Sequence, residues 1–181
     1  MSVSPLHDAG WLTDLEQTEE RCRRYLEELR WPDGVSCSHC GARPVTPIPA
    51  RRRFYCRRCR RFFSVTSGTV LHNCHLPIWK WFVAIELMLT RENGTSAHRL
   101  MQLLGVSYKT AWFAEHRIRA ALCNAQGITR RQPTDPHYLP AYKAERLWRH
   151  RQRDNTDAFK DTVLELLQTE PLPFNTLTHS P

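Results

Sequence analysis

A chain of 181 residues, 41% hydrophobic, with a mean hydropathy of −0.54 and a formal net charge of +8, has room for one ordinary domain or two or three small ones. No apolar run approaches the roughly 20 residues that span a bilayer. Residues 1–12 lack the basic-then-apolar layout of a secretory leader, so the expected setting is the cytoplasm. The charge is uneven: residues 1–36 carry −4, residues 37–122 carry +11 and residues 123–181 carry +1. The middle of the chain is therefore the footprint of a polyanion partner.

Residues 14–30 read as an amphipathic helix, with Leu15, Cys22, Leu26 and Leu29 at helical spacing. Trp31-Pro32-Asp33-Gly34 stops it, because proline and glycine do not continue a helix cheaply. Residues 1–34 thus form an N-terminal helical segment. Two Cys-x-x-Cys knuckles follow within 35–75: Cys37 with Cys40, and Cys56 with Cys59, with fifteen residues between them. Each knuckle brings two thiolates to one ion from a single tight turn, and two knuckles complete a tetrahedral set. Such a set suits one structural Zn2+; an iron–sulfur cluster is the alternative. Four cysteines leave no open position for an activated water, so no catalysis is expected at the metal. A ribbon this small buries too little apolar surface to fold unaided, and the metal supplies much of its stability. Phe54, Tyr55, Phe62, Phe63 and Val65 are its strand formers. His39 reads as a turn residue. Cys22, Cys74 and Cys123 stand outside the knuckles and read as small buried hydrophobes in a reducing cytosol.

Arg51, Arg52, Arg53, Arg57, Arg58, Arg60 and Arg61 crowd eleven positions around the second knuckle. Two or three of them would balance the charge of a zinc–tetrathiolate centre. The excess points to phosphate contact, which adds affinity and salt dependence but little sequence information.

Residues 76–123 predict three helices. Pro77 opens the first, with Ile78, Trp81, Phe82, Ile85, Met88 and Leu89 as its stripe, and Asn93-Gly94 ends it. Thr95 or Ser96 caps a shorter one carrying Ala97, Leu100, Met101 and Leu104. Gly105 makes a tight break, and Ser107 caps the third, with Ala111, Ala114, Ile118 and Leu122 inward. Helix, glycine turn, helix is the helix-turn-helix pattern, although an ordinary three-helix bundle shares it. In that motif the last helix enters the major groove by its N-terminal end. Here it would present Ser107, Tyr108, Lys109 and Thr110, then Trp112, His116 and Arg119. Residues 124–136 read as a linker, and 137–181 as a helical tail with helices over 137–152 and 157–168. The fold class expected is mainly α with a small β zinc ribbon.

Two-metal nucleases and transposases need several carboxylates converging on one site. Between Cys37 and Gln132 only Glu86, Glu92 and Glu115 are acidic, and Asp154, Asp157, Asp161 and Glu165 fit a solvated helix face. The expected protein is therefore not an enzyme.

Several runs resemble the front end of a class of bacterial insertion-sequence transposases: Arg30-Trp31-Pro32-Asp33-Gly34, Cys37-Ser38-His39-Cys40-Gly41, Cys56-Arg57-Arg58-Cys59 and Phe63-Ser64-Val65-Thr66-Ser67-Gly68-Thr69. Leu76-Pro77-Ile78-Trp79-Lys80-Trp81, Gly105-Val106-Ser107-Tyr108-Lys109-Thr110-Ala111-Trp112 and His116-Arg117-Ile118-Arg119 continue the likeness over roughly 20–123. The resemblance implies an N-terminal zinc ribbon and helix-turn-helix followed by a ribonuclease-H-like DDE core. No string here matches the one that carries that core's first catalytic Asp. His137-Tyr138-Leu139-Pro140-Ala141-Tyr142-Lys143-Ala144-Glu145 resembles the end of the same transposases. The implied history is an internal deletion rejoined within 124–136. The implied partners are double-stranded DNA at the terminal inverted repeats of a mobile element, and an intact transposase or a second copy of the chain. Through DNA the protein would associate with the bacterial nucleoid. A protein-interaction or transcription-regulating ribbon, and a fragment of an active split transposase, are the competing expectations.

Overall fold

The first helix, α1 (Leu15–Arg30), starts where Asp14 accepts the N–H groups of Glu16 at 3.1 Å and Gln17 at 3.0 Å, satisfying two orphan donors of the first turn. The computed structural model describes residues 14–91, 94–128 and 139–172. Thr18, Cys22 and Leu26 form the buried face of α1. The chain then folds into an antiparallel sheet of β1 (Val45–Ile48), β2 (Arg53–Cys56) and β3 (Arg61–Phe63), in that order. Register pairs Phe54 with Phe63 and Tyr55 with Phe62. Strand alternation sends Phe54 and Cys56 inward and Tyr55 to the other face. Phe54 stacks on Phe63 at 5.5 Å, and Trp31 closes edge-on over both at 5.6 and 6.0 Å. Arg30 fixes the chain leaving the ribbon by donating to the carbonyls of Val65 and Ser67.

Five further helices follow: α2 (Ile78–Thr90), α3 (Ala97–Leu104), α4 (Tyr108–Ala125), α5 (Leu139–Arg151) and α6 (Ala158–Gln168). Pro77 gives α2 no side-chain cap. Glu19 of α1 supplies one, its two carboxylate oxygens each accepting at 3.0 Å from the N–H groups of Ile78 and Trp79. Ser96 caps α3 and Ser107 caps α4, while Gly105 takes the left-handed conformation (φ +59°) that ends α3. α4 is the central helix. From Ala114 to Cys123 every residue is buried, with α3, α5 and α6 packed around it.

The architecture is mainly α with a small β ribbon, as the sequence predicts. Two boundaries differ. α2 ends at Thr90, short of Asn93-Gly94, and α4 runs to Ala125, two residues into the expected linker. The rest of that linker from 129, together with residues 1–13 and the end of the chain from 173, lies outside the described residues. One hydrophobic core runs from Phe54 and Phe63 of the ribbon through Leu26 and Phe82 to Phe159 and Leu166. The residues read as a tail help to build it: Phe159 packs edge-on against Phe82 at 5.2 Å, and the Trp148 indole donates to Thr162 at 2.9 Å.

Candidate metal centre and nucleic-acid interface

The two knuckles are built alike. In the first, the Gly41 N–H donates to the Cys37 carbonyl at 2.9 Å, with Gly41 left-handed at φ +67°. In the second, the position after the last cysteine is Arg60, also left-handed at φ +57°. The sheet brings the knuckles together, and the ligand atoms of Cys37, Cys40, Cys56 and Cys59 all lie within 4.8 Å of one another. Cys37 and Cys59 sulfurs are 3.6 Å apart, as are those of Cys40 and Cys56. A tetrahedron of Zn–S bonds of about 2.3 Å has edges of about 3.8 Å, so the cage fits one zinc ion. All four positions are sulfur, which makes the centre structural. The Cys56 thiol is drawn down to about 7, chiefly by a backbone hydrogen bond from Cys59, so a thiolate forms readily there. The exposed His39 stays out of the cage; its backbone N–H points at the Cys37 sulfur at 3.4 Å. Cys22 and Cys123 are buried as expected, whereas Cys74 is half-buried. Burial pushes the Cys22 thiol up to about 12.

All seven ribbon arginines are exposed. Arg51 sits in the short turn between β1 and β2, followed by Arg52, and Arg53 opens β2. Arg57 and Arg58 occupy the interior of the second knuckle, Arg60 its left-handed corner, and Arg61 the start of β3. Arg52 lies 3.5 Å from the exposed Glu16 carboxylate, a contact too solvated to hold it. Tyr55 and Phe62 pair at 5.0 Å on the outer face, Phe62 being 49% exposed. Sequence reasoning assigned Phe62 only to strand formation; its parity with Tyr55 was the available signal.

The candidate reading helix divides in two. Ser107, Tyr108 and Lys109 are exposed, and Thr110 is half-buried. The Ser107 hydroxyl caps the helix through the Thr110 N–H at 3.2 Å and bonds the Thr110 hydroxyl at 2.9 Å. Lys109 lines a groove of about 720 Å³ with Cys74, His75, Lys80 and Phe113. His75 and Lys80 were missed as candidates because 29 or more residues separate them from Lys109 in the chain. Trp112 is half-buried and packs against His116, with ring centroids 4.1 Å apart and the planes tilted by 40°.

His116 and Arg119 require correction as DNA contacts. They are 5% and 1% exposed, because α5 covers that stripe of α4. Arg119 donates to Glu145 at 2.5 Å, to Glu115 at 2.7 Å and to the Thr95 carbonyl at 3.2 Å, with the Tyr142 ring 4.0 Å away. Arg117, quoted only as part of a sequence run, is equally buried. It donates to the carbonyls of Val70, His72 and Leu172 at 2.6–3.2 Å and lies over Phe113 at 4.2 Å. Spacing along α4 could not separate these inward arginines from surface ones, because their partners come from distant segments.

Residues 17–61 match the family model described as a transposase zinc-ribbon domain. The matched stretch begins inside α1 and ends at the start of β3, so it takes in the whole cysteine cage. A protein of Halobacterium salinarum described as "Uncharacterized protein in transposable element ISH50" is 34% identical over 108 residues, 58% of this chain and 36% of that protein. The chain thus spans about a third of that relative's length. No solved structure matches it. Among the described residues, no helix is long and apolar enough to cross a membrane.

Proposed function

We propose that this chain is a DNA-binding protein derived from an insertion-sequence transposase, that it recognises the terminal repeats of a mobile element, and that it does not itself cut or join DNA. One observation carries the reading: seven exposed arginines surround a closed cysteine cage, on a ribbon that resembles those of transposases. The ribbon grips the phosphate backbone. α3, the Gly105 turn and α4 form a helix-turn-helix, and the exposed first turn of α4, with Tyr108 and Lys109 foremost, enters the major groove. Arg117 and Arg119 hold α4 in place and touch no DNA.

Four of the acidic residues support the non-catalytic part. Glu115 and Glu145 neutralise Arg119, Glu19 caps α2, and Asp161 accepts from Asn155 at 2.8 Å. Each is committed to the fold. Fluorescence anisotropy on element-end and scrambled duplexes at rising salt tests the binding. Expected are tighter binding to the element end and a steep loss with salt from counterion release. Absence of binding at low salt would sink the proposal. Strand cleavage with magnesium or manganese that a point mutation in this chain abolishes would sink the non-catalytic part.

A further inference from the structure

The charge of residues 123–181, only +1 overall, conceals a strongly cationic helix. Residues 139–153 hold Lys143, Arg146, Arg149, Arg151 and Arg153 against the single acid Glu145. The fold separates these charges. Glu145 is turned inward, 3% exposed, where Arg119 binds it. Lys143, Arg146, Leu147, His150 and Arg151 recur at i, i+3, i+4, i+7 and i+8 and are all exposed. This is the spacing of one helix face, and it bears no negative charge. The buried face, with Ala144 and Trp148, is spent on the core. Across the cleft toward α3, the exposed Arg99 extends the positive surface, whereas Arg149 is turned into the pocket of about 350 Å³ there, donating to the Arg91 carbonyl at 2.7 Å and lying 3.6 Å from Glu145. It stops at Arg153, where Asp154 follows.

We infer that the outer face of α5 is a second DNA-backbone surface, which grips phosphates flanking those met by the ribbon and by the first turn of α4. The inference rests on the DNA-binding reading. The eight steps from Lys143 to Arg151 rise about 12 Å, or three to four phosphate steps of one strand at about 3.4 Å each. α5 lies along the far half of α4: Cys123 reaches the Pro140 carbonyl, and Gln126 reaches the Ala144 carbonyl at 2.7 Å. That half begins at Arg119, about 18 Å along the helix from Ser107, so a duplex touched at both ends is held over a longer footprint than α4 alone provides. A membrane surface is a poorer fit, because among the described side chains of α5 Leu147 and Tyr142 are the only large apolar groups exposed.

The test uses the full chain and the triple variant Lys143→Gln, Arg146→Gln, Arg151→Gln, with Arg51→Gln, Arg52→Gln, Arg53→Gln as the ribbon control. Anisotropy on a 30-base-pair duplex gives the slope of log affinity against log salt, and hydroxyl-radical footprinting gives the protected length. The α5 variant should keep the wild-type melting temperature, lose up to about 2.7 from the slope at about 0.9 per phosphate contact, and protect a shorter footprint. An unchanged slope and footprint in the α5 variant, with both reduced in the ribbon control, would overturn the inference and leave the DNA-binding reading standing. A wild-type chain that binds no duplex at low salt would overturn both.

Discussion

The ribbon and α4 both draw on arginine, and use it in opposite ways. On the ribbon, seven guanidinium groups stand in water around a metal cage. On α4, Arg117 and Arg119 are 2% and 1% exposed and donate to carbonyls and carboxylates from distant segments. A cation in water costs little to keep and is free to meet phosphate. A buried one must be matched by fixed acceptors, and its removal leaves those acceptors stranded. Charge alone therefore does not mark a binding residue; what surrounds the charge does.

The largest effect should come from the cage on which the exposed arginines stand. Cys56→Ser is expected to release zinc and to abolish ordered structure over 35–66, while unchanged metal content by native mass spectrometry would contradict this. Acid should act in the same direction: zinc ligation needs thiolates, so metal retention should fall as the pH drops and protons compete for the four sulfurs. The sign follows from linkage: the folded, zinc-bound chain carries fewer protons on these sulfurs than the unfolded one, so the stability they contribute is present at high pH and lost as pH falls. Next in size, Arg119→Met leaves Glu115 buried without its cation and Glu145 with only Arg149 at 3.6 Å, and should cost about 3–5 kcal/mol in urea unfolding; a loss under 1 kcal/mol would make Arg119 no different from a surface arginine. Arg117→Ala strands carbonyls of Val70, His72 and Leu172, at about 1–3 kcal/mol for a buried group left unpaired. The Arg51→Gln, Arg52→Gln, Arg53→Gln ribbon variant should stay within about 0.5 kcal/mol per site in stability yet lose salt-dependent DNA affinity. Smallest and opposite in sign, Arg60→Gly should raise stability by about 0.5 kcal/mol, because glycine relieves the steric cost of the left-handed conformation and returns part of that gain as lost backbone entropy. The same variant should weaken DNA binding, which would separate the fold's demand at this corner from the ligand's.

Local signals carried much of the fold. Asp14, Ser96, Gly105 and Ser107 mark helix ends by their own chemistry, and the Cys-x-x-Cys spacing pairs the sulfurs within each knuckle. Long-range choices were not legible. Nothing local says that Glu19 closes α2, that Arg30 grips the Val65 and Ser67 carbonyls, or that α5 covers His116 and Arg119. A helical stripe of Trp112, His116 and Arg119 looks the same in sequence whether it meets DNA or another helix. The cationic face of α5 was hidden for a different reason: averaging charge over 123–181 mixed it with the acids of α6.

The cap that Glu19 places on α2 bears on how this protein could be taken apart. It joins positions 59 residues apart, and Trp31 and Arg30 clasp the ribbon from the same helix. A fragment cut to begin at the first knuckle would keep every metal ligand and lose the buttress behind them. Anyone grafting this ribbon onto another scaffold should carry α1 and the first turn of α2 along with it, as one transplantable piece.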